Sequence, residues 1–277
     1  MGYFGYYDGA YVKTGDLRLP LTDRAVYFGD GVYDAVLGFG ERFYLLEEHL
    51  KRFLQNVAAI DLSLPYTEGR IRAVIETLAE GTHGTTMLYL QATRSAPMRE
   101  HAPREEGAHL LITLTPTDAP TAAPITLVGE EDRRYDMCHV KTLNLLPNVL
   151  AARRARELHA DEAVFLSRGV VRECSRSNIA VVLGGTLLTH PTDEHILPGI
   201  MRARLLHTAK RLAIPTEERP FTERELMRAE GVIVTSTTKI ARLATHYDGY
   251  ALPAPDVRAA ELVRTMHRDF ADFCRVM

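Results

Sequence analysis

Apolar positions along the chain switch between a period of two and a period near 3.6, and the switches divide it into strands and helices. Leu50, Phe53, Leu54, Val57 and Ala58 fall on one stripe between Glu47 and Ile60, the spacing that gathers side chains on one helical face. Pro65 and Thr67 interrupt the chain, and Ile71, Val74, Ile75 and Leu78 then predict a second helix. The runs Phe43–Leu46, Met87–Ala92 and Leu110–Leu114 predict strands. Sheet and helix together suffice for this part to close its own core.

The stretch Pro116–Pro124, PTDAPTAAP, combines prolines with small residues and has little to bury, which predicts a domain boundary. Domains are expected over 1–117, smaller and N-terminal, and over 125–277, joined by a linker over 118–124. Past it the pattern predicts a helix near Asn148–Leu158, a strand at Ala163–Leu166, and a strand at Ile179–Leu183 turning at Gly184–Gly185. A helix follows Gly199 with Leu205, Leu206 and Ala209 inward. Thr222 and Glu225 have capping-box spacing, and Gly231 separates their helix from the strand Val232–Val234. Leu262, Val263, Met266, Phe270 and Phe273 predict a last helix. The element order is that of an α/β protein of the α+β type in two domains.

Composition narrows the partners. With 277 residues, 46% hydrophobic and 25% charged, the chain is globular in character. A formal charge of -3 without a long basic block predicts no nucleic-acid partner. Cys138, Cys174 and Cys274 are odd in number and scattered, neither a disulfide framework nor a zinc site, so no metal is expected and a reducing cytoplasm is. The opening MGYFGYYDGAY lacks a basic segment followed by an apolar one, and no apolar run nears the ~20 residues that span a bilayer. Neither export nor a membrane partner is expected.

Candidate chemistry is spread along the chain. Lys141, in HVKTLNLLPNVL, has Val140, Leu143, Leu145 and Leu146 around it, the apolar setting in which a lysine supplies a neutral amine to attack an aldehyde; a strand-edge lysine reaching out to water reads the same. Glu173, in RGVVRECSRSN, can hold a ring nitrogen protonated, or pair at the surface with Arg172 or Arg176. The run Thr235–Thr238 after a strand and Gly199–Ile200 at a helix start both present hydroxyls or amides suited to phosphate, as a polar loop and an ordinary cap also would. Arg52 offers a further phosphate contact. Arg99 and His101 stand two apart between proline-marked turns, and with the Tyr33 hydroxyl they suit a substrate carboxylate; an exposed loop and a packed tyrosine are the ordinary alternatives.

Taken together, the blocks YFGDGVYDAV (Tyr27–Val36), EEHLKRF (Glu47–Phe53), TRSAPMREH (Thr93–His101), VKTLNLLPNVLA (Val140–Ala151), Glu173 with SRSN (Ser175–Asn178), ILPGIMR (Ile196–Arg202) and VTSTTKI (Val234–Ile240) resemble the fold-type IV aminotransferases, most closely the D-amino acid aminotransferases. The resemblance implies two α/β domains with pyridoxal 5'-phosphate between them, the larger C-terminal one binding the cofactor, in a homodimer whose partner contributes to the pocket. It implies Lys141 as the Schiff-base lysine and proton carrier and Glu173 as partner of the pyridine nitrogen. It implies phosphate contacts from Arg52, Ile200, Met201, Ser236 and Thr237, with Ile200 and Met201 acting through backbone amides. Met201 departs from the threonine common there, which removes one hydroxyl from the phosphate site. Tyr33, Arg99 and His101 match the group that traps the substrate carboxylate in the D-specific enzymes.

The implied activity is ping-pong amino transfer between a D-amino acid and a 2-oxo acid such as 2-oxoglutarate or pyruvate. Branched-chain L-amino acid aminotransfer, (R)-selective amine transamination and aminodeoxychorismate lyase action are the enzyme alternatives, and a cofactor-free interaction scaffold is the non-enzyme one.

Overall fold

The structure is a computed structural model that describes residues 4–275. It separates into two compact units: the described residues up to Ala119 together with Val140–Asn144, and Pro120–His139 together with the described residues from Leu145 onward.

In the first unit, β1 (Phe4–Tyr7), β2 (Ala10–Lys13), β3 (Gly31–Phe39), β4 (Arg42–Phe43), β5 (Thr85–Ser95) and β6 (Gly107–Pro116) form a sheet of order β2-β1-β6-β5-β3-β4. Every pairing in it is antiparallel. A short helix α1 (Ala25–Phe28) precedes β3, and α2 (Leu46–Ala59) and α3 (Glu68–Ala79) bring Leu50, Phe53, Ile71 and Val74 into one core with Val32, Val36, Leu88, Leu90 and Ile112. Truncating Leu50 or Phe53, both fully buried, would cost about 3–5 kcal/mol. The strand expected over Phe43–Leu46 stops at Phe43. Leu45 adopts φ 57° and ψ 38° as the residue before α2, and a left-handed residue cannot continue an extended run.

β4 covers only the far end of β3, at Gly38 and Phe39. The near end of that edge would leave its amides and carbonyls without partners, and Val140–Asn144 fills it. Val32 and Thr142 form a bridge, Tyr33 N donates to Lys141 O at 3.0 Å, and Leu143 N donates to Gly31 O at 3.0 Å. Gly31 permits the close approach, since a Cβ there would lie 2.6 Å from Ala92 O and 2.9 Å from Leu143 Cδ1. Val140–Asn144, inside the expected span 125–277, thus groups by contact with the first unit, at the open edge of β3.

The second unit holds a mixed sheet of order β12-β11-β10-β14-β15-β7-β8-β9-β13. Its strands are β7 (Ile125–Glu131), β8 (Glu162–Ser167), β9 (Val170–Cys174), β10 (Asn178–Leu183), β11 (Thr186–Thr189), β12 (Thr216–Glu218), β13 (Phe221–Thr222), β14 (Gly231–Thr235), β15 (Arg242–Tyr247) and β16 (Tyr250–Ala251), which pairs with β15. β14 is buried throughout, as its unbroken apolar run requires of a strand covered on both faces. Ala151 and Ala155 of α4 (Leu146–Glu157) pack with Val128, Ala163 and Phe165. α5 (Ile200–Arg211) and α7 (Val257–Arg275) pack together near β14. The expected capping box opens α6 (Glu223–Leu226), with Thr222 Oγ1 accepting from Glu225 N at 3.2 Å and Glu225 Oε2 from Thr222 N at 2.8 Å.

Candidate active site

In the first unit, Lys141 is half-buried and its Nζ lies 4.4 Å from the centroid of the Tyr33 ring, which stacks on Tyr89 at 5.7 Å. Because its carbonyl accepts from Tyr33 N, the backbone register fixes the root of the lysine beside that ring. The next residue along β3, Asp34, points to the opposite face by strand alternation and meets α2. There Arg52 Nε and Nη2 each donate to its carboxylate at 2.8 Å, and His49 Nδ1 lies 2.8 Å from Oδ1. Burial opposes ionisation of Asp34, but the Arg52 charge and the His49 hydrogen bond outweigh it and hold the carboxyl well below the usual carboxylate range. Burial pushes the His49 pKa down despite Asp34, so the ring is neutral and donates from Nδ1. Arg52, assigned to phosphate by resemblance, is thus buried and forked onto Asp34 by two of its nitrogens.

Arg99 and His101 lie exposed on the loop after β5. The Arg99 guanidinium carbon sits 4.9 Å from the Phe28 ring centroid and 5.6 Å from that of Tyr27, and the His101 ring is 5.2 Å from Phe28. Phe28 is therefore the common neighbour of Arg99 and His101. The described hydrogen bonds, ion pairs and ring contacts do not join either of them to Tyr33.

In the second unit, Glu173 is 6% exposed, which removes the surface-pair alternative. Arg134 Nη1 donates to Oε1, while Asn178 Nδ2 at 2.9 Å and Leu197 N at 3.1 Å donate to Oε2. Asp132 holds Arg134 in turn through Nε at 2.9 Å and Nη2 at 2.8 Å, and the guanidinium lies over Phe165 at 4.3 Å. Burial would weaken the charge on Arg134, but the Asp132 hydrogen bond and the Glu173 charge raise its pKa further. Arg172 instead meets His190, 2.7 Å away.

Asn178 ties Glu173 to the segments that lead into Ile200 and Ser236. Its Nδ2 also donates to Leu197 O at 2.9 Å, its backbone is in register with Thr235 at the end of β14, and a Cβ on Gly199 would lie 1.8 Å from its Oδ1. Asn178 thus meets Glu173, Thr235, which precedes the Ser236–Thr237 turn, and Gly199, which precedes the Ile200–Met201 helix start. Gly199 has an ordinary φ of -70° and makes no side-chain cap, which leaves the first amides of α5 to other acceptors. The Met201 side chain is buried and has no hydroxyl, so its backbone amide is the group it could offer an anion. Gly199→Ala should displace Asn178 and lower stability by about 1–3 kcal/mol, whereas Gly15→Ala, where a Cβ meets nothing within 4 Å, should stay within about 0.5 kcal/mol. Denaturant midpoints of the two variants check this.

The turn after β14 is anchored from below. Lys239 Nζ lies 2.7 Å from Oε2 of the fully buried Glu162, which also accepts from Ser175 Oγ at 2.8 Å, Arg176 N at 2.9 Å and Ser177 Oγ at 3.0 Å. Burial disfavours the Glu162 carboxylate, yet Lys239 outweighs it and lowers the pKa. Ser236 and Thr237 are half-buried, and Ser236 Oγ accepts from Lys239 N at 3.3 Å. Sequence reading missed the roles of Arg134, Asn178, Asp34 and Glu162. Arg134 sits in the charged run EEDRRYD, which reads as solvated surface, while an asparagine opening an apolar run was the one signal available for Asn178.

The family model described as amino-transferase class IV matches residues 31–245. A D-alanine aminotransferase of Listeria monocytogenes is 35% identical over 269 residues, covering 94% of this chain and 92% of that protein. Among solved structures, a branched-chain aminotransferase from Thermoproteus uzoniensis with norvaline is 25% identical with a TM-score of 0.89, covering 97% of this chain and 94% of the other. The PLP-bound form of a hypothetical aminotransferase from Mycobacterium tuberculosis is 23% identical with a TM-score of 0.80, covering 95% and 98%.

Proposed function

The chain belongs to the class IV aminotransferases, and from that premise we propose that it moves amino groups between a D-amino acid and a 2-oxo acid with pyridoxal phosphate as cofactor. The observation that carries the D-specific reading is the 35% identity with a D-alanine aminotransferase over 94% of the chain. The presence of Tyr33, Arg99 and His101 supports it.

The residues of the second unit fit the cofactor. A buried, arginine-backed carboxylate suits a protonated ring nitrogen, and uncapped helix amides beside a hydroxyl turn suit a phosphate. Gly199, where Asn178 leaves no room for a Cβ, keeps the two together. Bound pyridoxal phosphate supplies an aldehyde that receives the amino group and a ring that withdraws electrons from the substrate α-carbon. We assign Lys141 as the residue that would tether it and as the base that would take the substrate α-proton at Nζ. Glu173 keeps the ring nitrogen protonated. Ile200 and Met201 amides, the Ser236 and Thr237 hydroxyls and Arg52 hold phosphate, the last from a position braced by Asp34.

Arg99, with His101 and Tyr33, fixes the substrate carboxylate and so decides which enantiomer turns its α-hydrogen toward Lys141. D-alanine should convert the bound cofactor faster than L-alanine in a single turnover. Arg99→Ala should remove at least about tenfold of that advantage, ~1.4 kcal/mol. Faster conversion by L-leucine than by any D-amino acid would favour branched-chain aminotransfer, the activity named for the 25% identical structural relative.

No helix among the described residues is long and apolar enough to cross a membrane. We place the protein in the cytoplasm, on the free thiols of Cys138 and Cys174. We also assign it a homodimer whose partner contributes to the pocket: Leu146, Val149 and Leu150 form an exposed apolar face on α4, an arrangement suited to a second copy.

A further inference from the structure

Arg24 stands at the N-cap position of α1, is 7% exposed, and directs its donors into the loop that carries the exposed Arg99 and His101. Nη1 donates to Glu100 O and Nη2 to His101 O at 3.3 Å, while Nε is held by Asp30 Oδ2 at 2.7 Å. Asp30 also receives Arg94 Nε at 3.2 Å, which ties it to the end of β5. The Arg24 guanidinium carbon lies 4.6 Å from the Phe28 ring centroid, the ring that Arg99 and His101 also flank.

This loop lies outside the strands and helices, and it carries both Arg99 and His101. A flexible loop would present them at variable spacing, and a carboxylate would pay the ordering entropy on each binding. Instead, the carbonyls of Glu100 and His101 are gripped by one rigid fork whose third nitrogen is locked by a carboxylate. A planar guanidinium spans two carbonyls and an acid at once; an ammonium does not.

We propose that Arg24 is a positioning residue for substrate recognition: it sets the Arg99-x-His101 loop, with Phe28 as its platform, and thereby preorganises the trap for the substrate carboxylate. This rests on the reading of Arg99 and His101 given above. Arg24 touches backbone carbonyls and not the reacting atoms, so its loss acts on binding and leaves the proton transfer at Lys141 alone.

The test uses the cofactor-loaded enzyme and two constants: KM for D-alanine, and the inhibition constant of propionate, which carries the carboxylate without the amine. Propionate binding is also followed by its perturbation of the cofactor's absorption, a readout independent of turnover. In Arg24→Lys both constants should rise about tenfold with kcat within twofold and the melting temperature retained. Phe28→Leu, which keeps the backbone grip, should shift both the same way by a smaller factor, and it decides the matter if Arg24→Lys does not fold. Unchanged constants in these variants while Arg99→Ala raises them would overturn the role of Arg24 and leave the carboxylate reading standing. Unchanged constants in Arg99→Ala would remove that reading and this inference with it. A fall in kcat and melting temperature that accompanies the rise in KM would mark Arg24 as merely structural and also overturn it.

Discussion

Replacing Lys141 by alanine should reduce turnover at least about a thousandfold, ~4 kcal/mol of transition-state stabilisation, because in the role we propose for Lys141 it removes tether and base in one step. The substitution should spare the fold. The Val140–Asn144 segment is held to β3 through backbone atoms, Tyr33 N to Lys141 O and Leu143 N to Gly31 O, and alanine keeps both bonds. The side chain itself is half-buried over the Tyr33 ring, so little apolar packing is lost. Pyridoxal phosphate should still associate through its phosphate, yet borohydride should no longer fix it to the polypeptide. Mass spectrometry of the reduced protein reads the covalent link, and steady-state assay reads the rate. Turnover near that of the parent would end the assignment of Lys141.

Glu173→Gln should slow the half-reaction about a hundredfold or more, since a neutral amide cannot hold the pyridine nitrogen charged while negative charge develops on the substrate. Here a cost in stability is also expected. The new amide group must face either Arg134 or the donors Asn178 Nδ2 and Leu197 N, and donor against donor is unfavourable at a buried site. Arg134 keeps both oxygens of Asp132, so the arginine is not left without an anion and the loss should stay near 2 kcal/mol, a few degrees in melting temperature. Stopped-flow conversion of the bound cofactor by D-alanine separates the two effects, because the half-reaction is measured on protein that remains folded. A rate within twofold of the parent would release Glu173 from the role.

The local elements were legible where one physical rule governs them. The stripe Leu50, Phe53, Val57 could only be a half-buried helix, and Thr222 with Glu225 closed the capping box their spacing predicts. Phe43–Leu46 was misread because burial pattern alone cannot see that Leu45 is left-handed. The destination of Lys141 was equally hidden. Its segment answers an unfilled edge of β3 more than a hundred positions earlier, and local periodicity carries no record of such a vacancy. At the site, residue types that announce a chemistry, a lysine among leucines or a glutamate after a strand, were visible singly. Their supports were not, since Arg134 and Asp34 look like ordinary surface charges until folding buries them against Glu173 and Arg52.

Those five residues, Val140–Asn144, also set a rule for how the molecule can be rebuilt. By position in the polypeptide they belong with the second half, and by contact they belong with the first. Exchange of halves between relatives at the proline-rich boundary would therefore seat a foreign lysine strap against a resident β3, asking Gly31 and its neighbours to accept a strand they did not evolve beside. The contact module is discontinuous: a chimera joined at that boundary should carry Val140–Asn144 together with β3, so that the Lys141 segment stays on the edge that seats it even though the chain separates the two.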